Sequence, residues 1–192
     1  FSISNTGTTP TATPISGPTS TQTSNSIAQD SFSRTVSAGW GNADIGGTYS
    51  GTSSADFSVN GTAGIMNVPT ANVQRKATLA GVNARDVDMK VRVSVNKLAA
   101  GAGHQISLVA RQISTTGQYR ARLELTPSGT VKLVAEKYLN STNLTTTVGS
   151  VITAPGLTYA ANQYIWLRAQ VVGVNPTTIR IKAWLDGQSE PT

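Results

Sequence analysis

From Asp30 onward the chain is a succession of short segments in which apolar and polar residues alternate, separated by glycine, proline and asparagine, the texture of an all-β sandwich or barrel. The clearest segment covers 87–95. There Val87, Met89, Val91, Val93 and Val95 share one face, while Asp88, Lys90, Arg92 and Ser94 share the other. The same pattern predicts strands over 106–112, 119–126, 130–138, 164–172 and 178–185, with weaker ones near Phe57, Met66, Ala77 and Val148. No stretch carries a convincing helical period, and no internal repeat recurs.

Two hairpins have a register that the side chains themselves specify. Pro127, Ser128 and Gly129 suit a three-residue loop, with proline opening a type I turn and glycine at the left-handed position. Leu125 then faces Val131, Leu123 faces Leu133 and Ala121 faces Ala135, while Glu124 meets Lys132 and Arg120 meets Glu136 on a solvated face. In the second hairpin the apolar sets Ile165, Leu167, Ala169, Val171 and Ile179, Ile181, Ala183, Leu185 must lie on one side, which requires an odd loop. A five-residue connection, 173–177, places Val172 opposite Thr178, Gln170 opposite Arg180, Arg168 opposite Lys182 and Trp166 opposite Trp184. Like charges across a ladder repel unless an anion lies over them, and exposed indoles demand a cover, which a ligand, a loop of the same chain or another subunit would supply. Such a break of the local rules marks a contact or binding site. Trp166, Arg168, Arg180, Lys182 and Trp184 are therefore the candidate ligand-binding set, the rings for stacking on sugars and the cations for carboxylate or sulfate.

Residues 1–29 differ in kind. They carry no charged side chain, are mostly serine and threonine, and contain Pro10, Pro14 and Pro18. Such a segment buries too little apolar surface to fold by itself and reads as an extended arm or linker ahead of a domain at 30–192. The proline-free stretch 19–27, with Thr19, Thr21, Thr23 and Ile27 on alternate positions, suits addition as a strand to the edge of a neighbouring sheet.

Composition narrows the chemistry. The 192 residues include no cysteine and one histidine, which removes disulfides, thiol nucleophiles and clustered histidine metal sites. No apolar run reaches membrane-spanning length, and Phe1 in place of Met points to an upstream segment removed. The net charge of +6, from 15 basic and 9 acidic residues, favours anionic partners such as acidic glycans. The basic residues are interleaved with acids on both sheets, which does not make a nucleic-acid groove. Glu124, Glu136 and Glu190 are the only glutamates, two of them matched to basic partners, which leaves little for a glycosidase pair. His104 follows a glycine-rich loop with no identifiable partner for general-base work, and that loop lacks the lysine and helix of a phosphate cradle. Asn60, Asn140 and Asn143 stand in glycosylation sequons.

The segments running from Asp30-Ser-Phe to Gly-Trp-Gly-Asn-Ala-Asp44, Asp56-Phe-Ser-Val-Asn-Gly-Thr-Ala-Gly64, Tyr119-Arg-Ala-Arg-Leu, Gly156-Leu-Thr-Tyr159 and Lys182-Ala-Trp-Leu resemble the laminin-G-like, concanavalin-like jelly-roll modules of bacterial secreted and surface proteins and of phage minor tail proteins. The resemblance covers Asp30 to about Pro191. It implies an antiparallel two-sheet jelly-roll sandwich, carbohydrate or surface attachment outside the cell or on a virion, and no catalysis. Modules of this kind usually end in a further strand bearing Asp and Phe, which is missing before Thr192, so an edge is left for another segment to fill. A structural calcium ion braces the termini in some jelly rolls. Asp30, Asp44, Asp56, Asp86 and Asp88 offer oxygen ligands here, without EF-hand spacing, and no cofactor is expected. Two functions follow as expectations. One is a non-catalytic module that binds a glycan or cell-surface polymer. The other is a structural subunit of an extracellular filament or virion appendage, in which the arm of one copy completes the sheet of the next.

Overall fold

A computed structural model describes residues 2–5, 25–113 and 116–192. Every regular element in it is a β-strand, in several antiparallel sheets, and contacts group the chain into two compact units, Phe1–Ala84 and Arg85–Thr192. Among the described residues no helix is long and apolar enough to cross a membrane. The arm expected over 1–29 falls in the first unit. Thr19, Thr21 and Thr23 lie outside the described residues, whereas Ile27 belongs to a strand of this chain.

In the first unit β1 (Ser2–Asn5) pairs antiparallel with β2 (Ser26–Gln29), with Ile3 opposite Ala28. Strands β3 (Thr35–Val36), β5 (Phe57–Asn60) and β6 (Gly64–Met66) form one small sheet, and β4 (Tyr49–Ser50) pairs with β7 (Thr78–Leu79). Phe57 and Val59 are buried, with Ser58 and Asn60 between and after them less so, the period-two pattern of a half-buried strand. The turn after β5 is closed by Asn60, whose Oδ1 accepts the backbone N–H of Thr62 at 3.1 Å and of Ala63 at 2.9 Å.

Four rings make the centre of this unit. Trp40 meets Phe32, Tyr49 and Phe57 edge to face at 5.3, 5.1 and 5.8 Å between centroids, and Phe32 stacks on Tyr49. The Asp-Ser-Phe and Gly-Trp-Gly segments therefore work as structure. Asp30, only 2% exposed, accepts Nη1 and Nη2 of Arg34 at 2.7 and 2.9 Å and the N–H of Phe32 at 2.8 Å, while Arg34 Nε donates to the Trp40 carbonyl at 3.0 Å. Burial, followed by the Asp30 charge and a hydrogen bond to it, pushes the Tyr49 phenol well above its ordinary range.

In the second unit β8 (Val87–Val93), β14 (Ile165–Val172) and β15 (Thr178–Leu185) lie side by side. A second sheet runs β12 (Leu144–Thr147), β11 (Thr130–Leu139), β10 (Gly117–Leu125) and β9 (His104–Ile113), and β13 (Ile152–Thr158) also pairs with β11. The inward residues of both sheets form one core, with Leu123, Leu125 and Val131 from one side and Ile165, Leu167 and Ala183 from the other. Tyr159 closes it. Its buried hydroxyl donates to the Thr126 carbonyl at 3.0 Å and accepts the Ala99 N–H at 2.7 Å.

Both hairpin registers agree with expectation. Leu125 stands opposite Val131 and Arg120 opposite Glu136 in the first, while Trp166 stands opposite Trp184, Arg168 opposite Lys182 and Val172 opposite Thr178 in the second. The expected solvated face of the first hairpin needs correction, because Val134 is fully buried and Glu136 is 4% exposed. Glu136 takes its charge partner diagonally from Arg122 at 3.2 Å, and Arg120 instead lies 4.8 Å from the centroid of the Tyr138 ring. Glu124 keeps Lys132 at 3.1 Å as expected.

Candidate functional site

The outward face of β8, β14 and β15 is built in three rows that the ladder fixes. Arg92, Trp166 and Trp184 form the first, Lys90, Arg168 and Lys182 the second, and Asp88, Gln170 and Arg180 the third. All five candidate binding residues thus share one surface. β8 contributes a cation to each of the first two rows, so three positive side chains stand abreast in the middle one.

The aromatic row is not two open rings. Trp166 and Trp184 stack at 6.3 Å with 20° between planes, and Trp184 is 6% exposed, so one of the two indoles is covered. The Lys90 ammonium lies 4.5 Å from the Trp166 centroid and 5.1 Å from that of Trp184, which gives a partner to a cation that stands opposite Arg168 on the ladder. Trp166 Nε1 donates to Asp186 at 2.8 Å, and the other oxygen of Asp186 accepts from Arg92 at 3.0 Å. Arg92 also covers the Tyr164 ring at 4.5 Å.

The cationic row is met by carboxylates on two sides. Arg168 donates Nε to Asp88 Oδ1 at 2.8 Å and Nη2 to Oδ2, and its Nη1 donates to Glu190 at 2.7 Å. Gln170 adds a third hydrogen bond to Asp88 at 2.8 Å. Burial works to raise the Asp88 carboxyl, but the hydrogen bonds from Arg168 and Gln170 outweigh it and hold the group below the usual carboxylate range. The same bond to Asp88 raises the Arg168 guanidinium against its own desolvation. Beyond β15 the chain returns over this face: Lys182 Nζ donates to the Pro191 carbonyl at 2.8 Å and lies 3.7 Å from Glu190. Arg180 is exposed, and its side chain has no hydrogen-bonding or ion-pair partner among the described residues. A shallow pocket is lined by Arg168, Gln170, Arg180, Lys182 and Glu190.

Lys90, Asp88, Asp186 and Glu190 complete the site beyond the five residues singled out from sequence. The first two stood in plain alternation on the 87–95 strand, but nothing in the sequence says which strand lies beside it.

The other candidates take structural partners. Asp86 accepts Arg111 Nη2 at 2.7 Å and the Gly173 N–H at 3.0 Å, Asp56 meets Arg75 at 2.6 Å, and Asp44 accepts the Ser31 N–H at 2.7 Å, its carboxyl lowered by the Ser31 side chain first and by this backbone bond second. Among the described residues no three His, Asp or Glu side chains gather so as to hold a metal ion. His104 Nε2 lies 3.3 Å from the Lys97 carbonyl.

Comparisons of the chain with protein-family models, with curated proteins and with solved structures find no match.

Proposed function

We propose that this protein is a non-catalytic attachment module, acting outside the cell or on a virion, whose second unit carries a carbohydrate or cell-surface ligand on the outward face of β8, β14 and β15. The sandwich is proposed to follow a jelly-roll path, as the resemblance of its sequence segments implies. The observation that carries the reading is Arg180, an exposed guanidinium beside Gln170 and Lys182 with no partner of its own among the described residues, on the same face as the half-buried Trp166. An arginine fork with a lysine beside it suits the oxyanion of an acidic sugar. The test is a glycan array probed with the parent chain, Arg180→Ala and Trp166→Ala. Binding that both substitutions weaken supports the site, and binding that neither changes places the ligand elsewhere.

A second reading is favoured by one feature. β15 ends its sheet, so among the described residues nothing pairs with its outer backbone edge. We infer from this a filament subunit that accepts a strand from another copy, with the arm's stretch of Thr19, Thr21 and Thr23 as donor, since Ile27 already lies in a strand paired within its own chain. Light scattering of the full chain across a concentration series checks it: growth in mass with concentration supports assembly, and a constant monomer mass counts against it.

A further inference from the structure

The carboxylate of Glu190 shows where an anion rests on this face. It meets Arg168 Nη1 at 2.7 Å and lies 3.7 Å from Lys182 Nζ, at the side of the pocket that Arg180 and Gln170 complete. The face carries five cations, Lys90, Arg92, Arg168, Arg180 and Lys182, against three carboxylates, Asp88, Asp186 and Glu190. Two of those carboxylates are held firmly. Asp88 is fixed on its strand by three hydrogen bonds, and Asp186, directly after β15, is tied to Trp166 and Arg92. Glu190 is different in kind. It stands five residues past the end of β15, in a segment whose residues 187–189 and 191–192 are exposed, and its side chain keeps a quarter of its surface in water. Of the three anions it is the one borne neither on a strand nor on the residue directly after one.

We propose that the Arg168–Lys182 row, together with Arg180, is a binding site for an oxyanion carried on a sugar polymer, and that Glu190 occupies it as a competitor built into the chain. This rests on the attachment reading above and adds to it the ligand class and a regulation of the same site. An incoming carboxylate or sulfate takes the place of Glu190 on Arg168 and Lys182 and gains the fork of Arg180, which Glu190 does not use. Glu190 thus keeps Arg168 and Lys182 from gathering stray anions, and it sets a threshold that one isolated charge passes less readily than a polymer presenting several.

Three polymers separate the possibilities: dextran sulfate, with sulfate alone; polygalacturonate, with carboxylate alone; and neutral dextran. Glu190→Gln is expected to bind at least one of the two charged polymers about fivefold more tightly than the parent chain, the effect of removing one competing, partly exposed charge. Its affinity should also fall more steeply with salt. Adding Arg180→Gln to Glu190→Gln should abolish that gain. Whichever charged polymer responds identifies the anion. A Glu190→Gln chain that binds both charged polymers no better than the parent overturns the competitor role while leaving the attachment reading in place, since the parent still binds. Failure of both chains to bind any polymer overturns both readings. As a readout independent of polymer, inorganic sulfate should shift the side-chain N–H resonances of Arg168 and Arg180 at lower concentration in Glu190→Gln than in the parent, and equal concentrations would also overturn the competitor role.

Discussion

Asp88 and Arg168 sit diagonally across neighbouring strands and meet through two parallel hydrogen bonds, the first of them 2.8 Å from Nε to Oδ1. Directly opposite Asp88 is Gln170, and directly opposite Arg168 is Lys90, so the carboxylate relieves the like-charge contact by reaching one row over.

Asp88→Asn should cost about 2 kcal/mol at neutral pH, because it removes a carboxylate that accepts three hydrogen bonds, two of them from a guanidinium. The pH dependence has a definite sign. The folded carboxyl lies below its unfolded value of about 3.9, so its contribution is full above about pH 4 and is lost as pH falls through the folded value. Urea unfolding of the parent between pH 2 and 7 should therefore show an acid decline that is shallower in Asp88→Asn. Equal slopes would mean that the bonds contribute nothing.

The two tryptophans should separate in stability. Trp184→Ala empties a site that is 6% exposed and should cost about 3 kcal/mol. Trp166→Ala removes a half-buried ring and should cost about 1 kcal/mol. Denaturant midpoints of the two variants measure the difference. If Trp166→Ala proves the more costly, the assignment of Trp184 as the supporting ring is wrong.

Gly64→Ala tests the aromatic centre of the first unit. A Cβ there would fall 2.6 Å from Cε1 of Phe32 and 2.9 Å from the Trp40 ring, contacts that only movement of both rings relieves. The expected cost is about 1–3 kcal/mol, read from thermal unfolding together with loss of near-ultraviolet aromatic dichroism. A variant as stable as the parent would show that these rings pack loosely.

What was legible in the sequence is the part governed by parity. Leu123 opposite Leu133 and Trp166 opposite Trp184 follow from loops whose length must keep apolar residues on one side, and a period of two leaves no freedom once that holds. What was not legible depends on partners distant along the chain. Glu136 prefers the diagonal Arg122 because the Tyr138 ring draws Arg120 away, a choice that strand register does not determine. Arg111, in a left-handed conformation at φ 50°, leaves its strand pattern to bond Asp86 and Thr177 at 2.7 and 3.0 Å. The expected strand near Val148 is replaced by two, Leu144–Thr147 and Ile152–Thr158, with Gly149 at φ 76° in the break between them. In the first unit the strands β3, β4 and β7 have two residues each, too few for any alternation to show. Within the candidate site the five residues chosen from sequence share one face, but the cover over their charges comes from Glu190, beyond the last strand, where no periodicity points.

The stacked pair Trp166 and Trp184, with the Lys90 ammonium against both rings and the Asp186 carboxylate on one indole nitrogen, makes this face its own optical gauge. Indole emission is sensitive to neighbouring charge, so a molecule that displaces Lys90 or Asp186 announces itself in the native fluorescence without any attached dye. Trp40, locked among three other rings in the first unit, supplies a steady background against which that change is read.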